Sequence, residues 1–325
     1  MADAGPQTSQ PERKTASRAS IVLAFASVYF FWGSTYTAIR IGAAQIPALL
    51  LSGTRFTIAG VLLLGVCAWR RLPLVSSWKT MAMLGAIGLL LLGGGNVGLV
   101  WAEKTLPSGL ASLVLAVTPL FIALMEIFLP EGEPLPARGW LGMALGFAGL
   151  AALMWPSLSS GLSGDRTRLV AMAVLVAGGL SWALGSVVSR RARLPVNTLV
   201  AAAWQMVIAG AIATGIGTVL GQWRGFHANA AAIGSVAYLI TGGSLAGYTC
   251  FIYLLEHVPV AKVSSYSYVN PVVAVLLGIV FLGERPYPAE FAGMAGVILA
   301  VFLLSSAQVK ARPRARQELE TLPEE

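Results

Sequence analysis

Long apolar runs, separated by short polar segments, make up most of this chain. A helix needs about 20 apolar residues to cross the hydrocarbon core of a bilayer, and the chain offers ten runs of roughly that length. The predicted membrane helices are 21–39, 46–69, 80–101, 108–129, 139–155, 169–189, 196–221, 230–255, 260–282 and 288–306. The pattern therefore predicts an all-α integral membrane protein with ten transmembrane helices and short connections.

The composition excludes a soluble protein. Of the 325 residues, 56% are hydrophobic and 11% are charged, whereas soluble domains average about 25% charged residues. A chain of this size cannot hide so much apolar surface from water, so the lipid bilayer is the expected partner of its surface. The net charge of +8 comes from Lys and Arg in loops and tails; this placement indicates membrane topology and gives no sign of nucleic-acid binding.

Polar segments at both ends and in the middle divide the chain. Residues 1–20 are predicted to form a disordered cytoplasmic tail and residues 307–325 a second cytoplasmic tail. A linker rich in Gly and Ser at 156–168 separates residues 21–155 from residues 169–306. The first apolar run is longer than the apolar core of a signal peptide, so we expect it to stay in the protein as a membrane helix.

The Lys and Arg residues of the connecting loops predict the orientation, because positively charged loops stay in the cytoplasm. With both termini inside, fourteen of these residues fall on the inner side: Arg13, Lys14, Arg18, Arg70, Arg71, Lys79, Arg138, Arg190, Arg191, Arg193, Lys310, Arg312, Arg314 and Arg316. Six fall on the outer side: Arg40, Lys104, Arg166, Arg168, Arg224 and Arg285. The opposite orientation would invert this excess, so both termini are predicted to be cytoplasmic.

One helix flanked by prolines occurs twice in the chain. Pro107 and Pro119 are 12 residues apart, and so are Pro259 and Pro271. A proline suits the start of a helix, because its missing N–H would be unpaired there. A proline inside the helix bends it and frees backbone carbonyls. We therefore expect kinks at Pro119 and Pro271.

Other matched residues extend this repeat over the whole apolar region, at separations of 150 to 153 positions. The pairs are Trp32 and Trp182, Arg40 and Arg190, Gly95 and Gly247, Trp101 and Tyr253, and Glu131 and Glu284. Each half holds five helices, an odd number, so the second half must enter the membrane from the opposite side. This predicts an inverted repeat, which in secondary transporters encloses a substrate site near the midplane. A duplication retained only for packing is the alternative.

Several short motifs resemble one family of membrane proteins. They are Phe31-Trp-Gly-Ser-Thr-Tyr36 in the first helix, Arg55 in the second, and Tyr268-Val-Asn-Pro-Val-Val-Ala274 followed by Gly283 and Glu284. In this order they resemble the drug/metabolite transporter superfamily, in its ten-helix branch with two EamA-type repeats, over residues 21–306. Within that branch the chain is similar to the YddG and YedA group of bacterial inner-membrane exporters. The resemblance implies export of amino acids, aromatic ones in particular, and of related metabolites, with cytoplasmic termini.

Aromatic and amide side chains inside the predicted helices are the candidate substrate-binding residues. Trp32 and Tyr36 lie four residues apart, as do Tyr266 and Asn270, so each pair shares one helix face. The predicted wall of a central cavity consists of Trp32, Tyr36, Asn96, Trp101, Trp182, Trp204, Tyr266 and Asn270. An amphipathic zwitterion needs such an apolar wall with a few fixed polar atoms. The alternatives are interface anchoring for the Trp and Tyr residues and helix packing for Asn96.

Two charged residues fall well inside the predicted helices, where such groups are costly. Arg55 lies eight residues past Pro47, roughly 12 Å along a helix. It is a candidate clamp for a substrate carboxylate, or else an Arg that extends to the outer surface. Glu126 is expected at the membrane interface, with proton coupling as the alternative. Pro119 and Pro271 are the predicted hinges.

Nothing in the sequence indicates catalysis. Every Asp and His falls outside the predicted helices, no loop for ATP phosphates occurs, and Cys67 and Cys250 suggest neither a disulfide nor a metal site. We therefore expect a transporter of a small molecule, without a cofactor or metal and not an enzyme. Because no acid–base pair lies deep in the membrane, facilitated or weakly coupled export is favoured. Export of other drugs or metabolites, or a lipid-moving or structural role, is the alternative.

The expected topology can be tested with a reporter enzyme that is active only in the periplasm. A fusion after Lys310 should give no activity, because the C-terminus is predicted to stay inside. A matched fusion after Arg224, in a predicted outer loop, should be active. Activity of the Lys310 fusion would overturn the predicted orientation.

Overall fold

All secondary structure that the structure describes is helical. The structure is a computed structural model that describes residues 17–74, 77–129, 137–159, 166–285, 291, 294–296, 298–300 and 302–303. Nine helices lie within these ranges: α1 Arg18–Ala43, α2 Ala48–Trp69, α3 Trp78–Ala102, α4 Ser108–Phe128, α5 Ala137–Ser159, α6 Arg166–Ala192, α7 Thr198–Val219, α8 Ala230–His257, and α9, which comprises Val260–Val263 and Tyr266–Leu282. Further helical residues occur between 291 and 303.

Seven of these helices, α1 to α4 and α6 to α8, are long and apolar enough to cross a membrane. The prediction of an all-α protein with several membrane helices is therefore confirmed for the described residues. The count of ten stays a prediction, because much of the expected last helix at 288–306 lies outside the described residues.

Several helices extend beyond the apolar runs that predicted them. α1 begins at Arg18, within the predicted tail 1–20. α5 ends at Ser159 and α6 begins at Arg166, so both run into the predicted linker 156–168. Polar residues can continue a helix once it has formed, because each added residue contributes one more backbone hydrogen bond. The remaining parts of the predicted tails and linker lie outside the described residues.

Prolines and glycines set helix boundaries. Pro47, Pro107 and Pro259 precede the first residues of α2, α4 and α9, with φ angles of −57°, −56° and −53° that a proline ring favours. Gly221 follows α7 with φ +68°, and Gly283 ends α9 with φ +64°. A side chain would be strained in that left-handed conformation, so glycine ends these helices at low cost.

Both proline-flanked helices are interrupted, and each interruption lies before the internal proline. In α4 the helix breaks at residues 116–117, and Pro119 belongs to the first turn of the following segment. In α9 the break falls at residues 264–265, and the helix then runs through Pro271 to Leu282. The breaks thus lie N-terminal to the prolines where kinks were expected. Pro119 is tolerated because it lies in a first turn, whereas Pro271 lies inside its helical segment.

Three helices contain π-helical stretches, at Val28–Trp32 of α1, Leu89–Val97 of α3 and Leu239–Tyr248 of α8. Such stretches are uncommon and occur frequently at functional sites. The stretch in α3 includes the run of glycines at 93–95. The helix is thus widened there without being unwound.

Glycines bring the backbones of α2 and α7 into close contact at two places, one glycine coming from each helix. A Cβ at Gly60 would meet Cγ2 of Val207 at 2.7 Å, and a Cβ at Gly210 would meet the backbone N of Thr57 at 2.5 Å. Gly60 and Gly210 are 150 positions apart, and so are Thr57 and Val207. The contact of Gly60 in α2 with Val207 in α7 is therefore matched by the contact of Gly210 in α7 with Thr57 in α2.

This contact predicts which glycines tolerate a methyl group. Gly60→Ala and Gly210→Ala should each destabilise the protein by about 1–3 kcal/mol, because the added Cβ forces two backbones apart. Gly65→Ala and Gly215→Ala are the controls in the same two helices, since a Cβ there meets nothing within 4 Å. These controls should be neutral or gain up to ~1 kcal/mol of helix propensity. Thermal unfolding in detergent measures the difference, and equal midpoints for all four variants would contradict the close packing.

Candidate functional site

A cavity lies among α1, α2, α3, α4, α6, α8 and α9. Its polar wall residues are Thr35, Tyr36, Arg55, Asn96, Ser112, Thr118, Tyr248, Tyr266, Ser267 and Asn270. Its larger apolar wall residues are Trp32, Phe56, Leu92, Leu99, Leu115 and Trp182. The cavity volume is about 80 Å³. One water needs at least ~10–15 Å³ on the same measure, so there is room for several waters or a small solute.

Most of the residues predicted to form a cavity wall do lie in this one. They are Trp32, Tyr36, Asn96, Trp182, Tyr266 and Asn270, and both Arg55 and Pro271 join them. The two pairs spaced by four residues face the cavity together, as their helix positions require. Whether these side chains bind substrate stays a prediction.

Two predicted wall residues lie elsewhere. Trp101, near the end of α3, is 40% exposed and does not line the cavity. Trp204 of α7 donates its indole N–H to the backbone oxygen of Leu74 at 2.8 Å, in the connection between α2 and α3. A buried indole N–H usually has a hydrogen-bond acceptor, and the acceptor of Trp204 lies in this connection and not in the cavity. The expectation that both residues line the cavity was wrong.

Glu126 and Pro119 also lie outside the cavity wall. Glu126 accepts a hydrogen bond from Arg191 at 2.9 Å, in a pair whose side chains are 28% and 36% exposed. The expected placement of Glu126 at the membrane interface stays a prediction. Pro119 leaves the carbonyl of Leu115 without its helical donor, and the Thr118 hydroxyl donates to that carbonyl at 2.6 Å. The carbonyl that we expected to be free in α4 is therefore satisfied.

Four aromatic rings pack together at one side of the cavity. The ring of Trp32 lies 5.3 Å from that of Trp182, 4.8 Å from that of Phe251 and 5.2 Å from that of Tyr266. Phe251 also contacts Trp182 at 5.4 Å and Tyr266 at 5.9 Å. The contacts of Trp32 with Trp182 and with Tyr266 are edge-to-face, a favourable geometry for aromatic pairs. The cluster forms a rigid apolar wall drawn from both halves of the chain.

Glycines hold the two tryptophans in place, each from the other half of the chain. A Cβ at Gly247 would meet the indole Nε1 of Trp32 at 2.5 Å, and a Cβ at Gly95 would meet Cε3 of Trp182 at 2.8 Å. The indole of Trp32 also donates to the backbone oxygen of Gly243 at 3.1 Å. Trp32 is matched to Trp182 and Gly95 to Gly247 in the sequence repeat, so the two contacts are the same contact with the halves exchanged.

Arg55 places a positive charge in the cavity wall. The residue is 3% exposed, and its Nε and Nη1 atoms have no hydrogen-bond partner in the described part of the chain. Its guanidinium carbon lies 4.2 Å from the centre of the Phe56 ring. The side chain therefore does not extend to the outer surface, which was the alternative reading. A buried guanidinium with unused donors suits an anionic group such as a carboxylate.

The wall also offers hydrogen-bond acceptors. The Oδ1 atoms of Asn96 and Asn270 are buried and receive no hydrogen bond from the described residues. Pro271 deprives the carbonyl of Ser267 of its helical donor, and both residues line the cavity. These oxygens can accept hydrogen bonds from an ammonium group, so the cavity offers sites for both charges of a zwitterion.

Several residues in and around the cavity were not predicted from the sequence, among them Phe251, Tyr248 and Gln205. Phe251 lies at the centre of the aromatic cluster, and the Tyr248 hydroxyl donates to Oε1 of Gln205 at 2.6 Å behind the wall. Phe251 follows the matched Gly247 by four residues, a spacing that places both on one helix face. That spacing could have identified Phe251, whereas no sequence signal linked Tyr248 to Gln205.

Two matched arginines hold helix ends at different sites. Arg40 at the end of α1 donates to the backbone oxygen of Glu103, just past α3. Arg190 at the end of α6 donates to the backbone oxygens of Leu255 and Val258, both at 2.8 Å, near the end of α8. Glu103 and Leu255 are 152 positions apart, so matched arginines bind matched helix ends.

Metal-binding features are absent from the part of the chain that the structure describes. No group of three or more His, Cys, Asp or Glu residues is placed there to hold a metal ion. Cys67 and Cys250 are free cysteines in membrane helices. The chemistry of the cavity is therefore that of aromatic rings, amides, hydroxyls and one guanidinium.

Comparison with protein families identifies a match that covers most of the chain. The EamA-like transporter family matches residues 19–155 and, separately, residues 169–306. The chain is 35% identical over 283 residues to the uncharacterized inner membrane transporter YedA of Escherichia coli strain K12, covering 86% of this chain and 88% of that protein.

Two further proteins are similar at lower identity. The probable terminal-alkyne amino-acid exporter of Streptantibioticus cattleyicolor is 30% identical over 294 residues, which cover 87% of this chain and 93% of that protein. One solved crystal structure aligns with a TM-score of 0.67 at 23% identity, covering 90% of this chain and all of that one. At this identity the structural match establishes the fold alone.

Proposed function

This chain belongs to the EamA-like transporter family, and from that premise we propose that it exports small amphipathic metabolites, chiefly amino acids, including aromatic ones. The protein is a membrane transporter, and the substrate is the part we infer. Arg55 carries the inference: a buried guanidinium with unused donors faces a cavity that also holds aromatic rings and unbonded amide oxygens. This combination suits a zwitterion with an apolar side chain.

The proposed pose assigns each part of an amino acid to one part of the wall. Its carboxylate binds Arg55 through charge-assisted hydrogen bonds. Its ammonium group donates to Oδ1 of Asn270 or Asn96 and to the carbonyl of Ser267. Its side chain packs against Trp32 and Trp182, whose ring faces favour apolar and cationic groups. The amino-acid exporter from Streptantibioticus cattleyicolor, 30% identical to this chain, supports the same substrate class.

We further infer ten membrane helices arranged as two inverted repeats, at residues 21–155 and 169–306, joined by the linker 156–168. The reciprocal contacts of Trp32 with Gly247 and of Trp182 with Gly95 support this arrangement. In a two-fold symmetric interface every contact occurs twice, with the two residues exchanged between the partners. Two inverted halves related by a pseudo-two-fold axis meet in the same way. The charge excess in the loops supports cytoplasmic termini and the 35% identity to YedA supports the inner membrane.

Transport then proceeds by alternating access around the cavity. α4 and α9 are the interrupted helices that line it, with breaks at 116–117 and 264–265 next to the proposed hinges Pro119 and Pro271. At each break some bonds join residues three apart, such as Leu120 N–H to the Val117 oxygen and Ser267 N–H to the Ser264 oxygen. Because the regular α-helical pattern is already interrupted there, the helix bends at less cost than a continuous one. Each half-helix can swing about its break and open the cavity to one side at a time. The substrate's own concentration gradient drives net export.

The role of Arg55 can be tested with paired substrates in proteoliposomes. Arg55→Gln should weaken binding of phenylalanine by about 10- to 150-fold, the range expected for a lost hydrogen bond to a charged group. Binding of phenylalanine amide, which lacks the carboxylate, should change little. Arg191→Gln is the control, because Arg191 pairs with Glu126 away from the cavity. Equal losses for both ligands would contradict a carboxylate site at Arg55.

α9 should carry both a binding residue and a moving segment. Asn270→Ala should weaken substrate binding, because it removes an acceptor from the wall. Pro271→Ala should slow transport more than it weakens binding. The restored hydrogen bond stiffens the helix next to the proposed hinge, while it occupies only one of the proposed ammonium acceptors, the Ser267 carbonyl. Binding affinity and the rate of radiolabelled amino-acid flux separate the two effects. Wild-type flux in both variants would exclude α9 as the moving, substrate-bearing helix.

A further inference from the structure

A buried carboxyl group lies directly behind the cavity wall. Glu103 follows the last residue of α3 and is 0% exposed. Its backbone oxygen accepts a hydrogen bond from Arg40, whereas neither of its carboxylate oxygens has a hydrogen-bond partner among the described residues. An ionised carboxylate without hydrogen bonds is costly in a buried position. A protonated carboxyl group costs far less, so this residue is suited to hold a proton.

The charged and titratable groups that face Glu103 come from three sides. Arg40 and Tyr36 of α1 and Arg55 of α2 interact with it electrostatically, as does Glu284, which follows α9. Glu284 is held apart by its own hydrogen bonds, since it accepts from the backbone N–H of Ser108 at 2.8 Å and from the Ser108 hydroxyl at 2.9 Å. Glu103 has no such donors, so it is the carboxyl in this group that lacks stabilisation of its charged form.

The environment favours the protonated form of Glu103. Burial raises the pKa of its carboxyl well above the ordinary value, and Glu284 adds to the rise, while Arg40 and Arg55 oppose it. Perturbed pKa values cluster at functional sites. Tyr36 and Arg55 both line the cavity, so the charge on Glu103 acts directly on the residues that we assign to the substrate.

We propose that Glu103 is a proton-binding site of the transport cycle and that its ionised form competes with the substrate's carboxylate for Arg55. This inference rests on the proposed function, because it assumes a carboxylate substrate. When Glu103 is protonated, the positive charge of Arg55 is available to the substrate. When Glu103 is ionised, it neutralises part of that charge, and the affinity for the carboxylate falls.

The proposal fixes the sign of the coupling. Proton and carboxylate favour each other's binding, and such coupling is reciprocal between the two ligands. Substrate that leaves the cell should therefore take protons with it, and an exchange of substrate for protons in opposite directions is excluded. Under this linkage an inward proton gradient opposes export, so net export requires an outward substrate gradient that exceeds the proton gradient.

The proton site is tested first without substrate. Infrared spectra of the purified protein should contain the carbonyl band of a protonated buried carboxyl group, which disappears as the pH rises, and Glu103→Gln should lack it. Because the folded state holds a proton that the unfolded state releases, wild-type thermal stability should fall as the pH rises through the raised pKa. Glu103→Gln should lose less stability over that range, while Glu126→Gln should follow the wild type.

Binding and flux then test the coupling. Wild-type affinity for phenylalanine should weaken by up to about tenfold per pH unit once Glu103 ionises, whereas Glu103→Gln should keep the tight affinity at every pH. Phenylalanine efflux from loaded proteoliposomes should draw protons out of the wild-type vesicles and not out of Glu103→Gln vesicles. A pH profile that persists in Glu103→Gln, or that disappears in Glu284→Gln instead, overturns the proposal.

The two sets of measurements separate the proposals. If the infrared band titrates and belongs to Glu103, but no amino acid binds at any pH, the proposed substrate is wrong and the proton site stands. If amino acids bind and the band is absent, the proton site is wrong and the proposed function stands. Proton movement against the direction of substrate efflux contradicts the sign of the coupling.

Discussion

The structure depends on close contact between helix backbones at glycine residues. Helices in a bilayer satisfy their own hydrogen bonds, and lipid is as apolar as their side chains, so packing has to hold them together. Small residues allow that packing to be tight. Gly60 and Gly210 join α2 to α7, while Gly95 and Gly247 receive the indoles of Trp182 and Trp32. The two halves of the chain are therefore interlocked around a pair of tryptophans.

The interlock lies beside polar groups that stay unpaired. The rings of Trp32, Trp182 and Phe251 pack against one another at one side of the cavity. On the cavity wall, Nε and Nη1 of Arg55 and the Oδ1 atoms of Asn96 and Asn270 have no hydrogen-bond partner among the described residues. Unsatisfied buried polar groups each cost about 1–3 kcal/mol, so a cavity that keeps several of them suits a ligand that uses them.

The helix ends around the cavity are fixed by charged groups that bind backbone atoms. Arg40 and Arg190 bind carbonyls at the ends of α3 and α8, and Glu284 binds the N–H groups at the start of α4. The two arginines lie at helix C-terminal ends and the glutamate at a helix N-terminus, which are the positions where the helix dipole stabilises a positive and a negative charge respectively. In contrast, Glu103 is buried by the same arrangement and receives no donor for its carboxylate. The site that we propose for a proton is thus a by-product of how Arg40 is satisfied.

The sequence by itself determined the membrane class, most helix positions, the repeat and much of the cavity wall. These features depend on local properties: apolar length, proline and glycine positions, and the four-residue spacing of Trp32 with Tyr36 and of Tyr266 with Asn270. Positions matched between the two copies were informative as well, because Trp32 and Trp182 meet in space.

Only the tertiary structure decided which polar atoms are already satisfied. Trp204 was expected in the wall, but the carbonyl of Leu74 lies within reach and takes its N–H. The carbonyl freed by Pro119 is used by Thr118. Residue type alone does not distinguish Phe251 and Glu103 from other residues in or beside helices. Their proposed roles depend on the residues that tertiary packing places next to them. Spacing along a helix fixes the direction of a side chain, whereas the partner it meets belongs to another part of the chain.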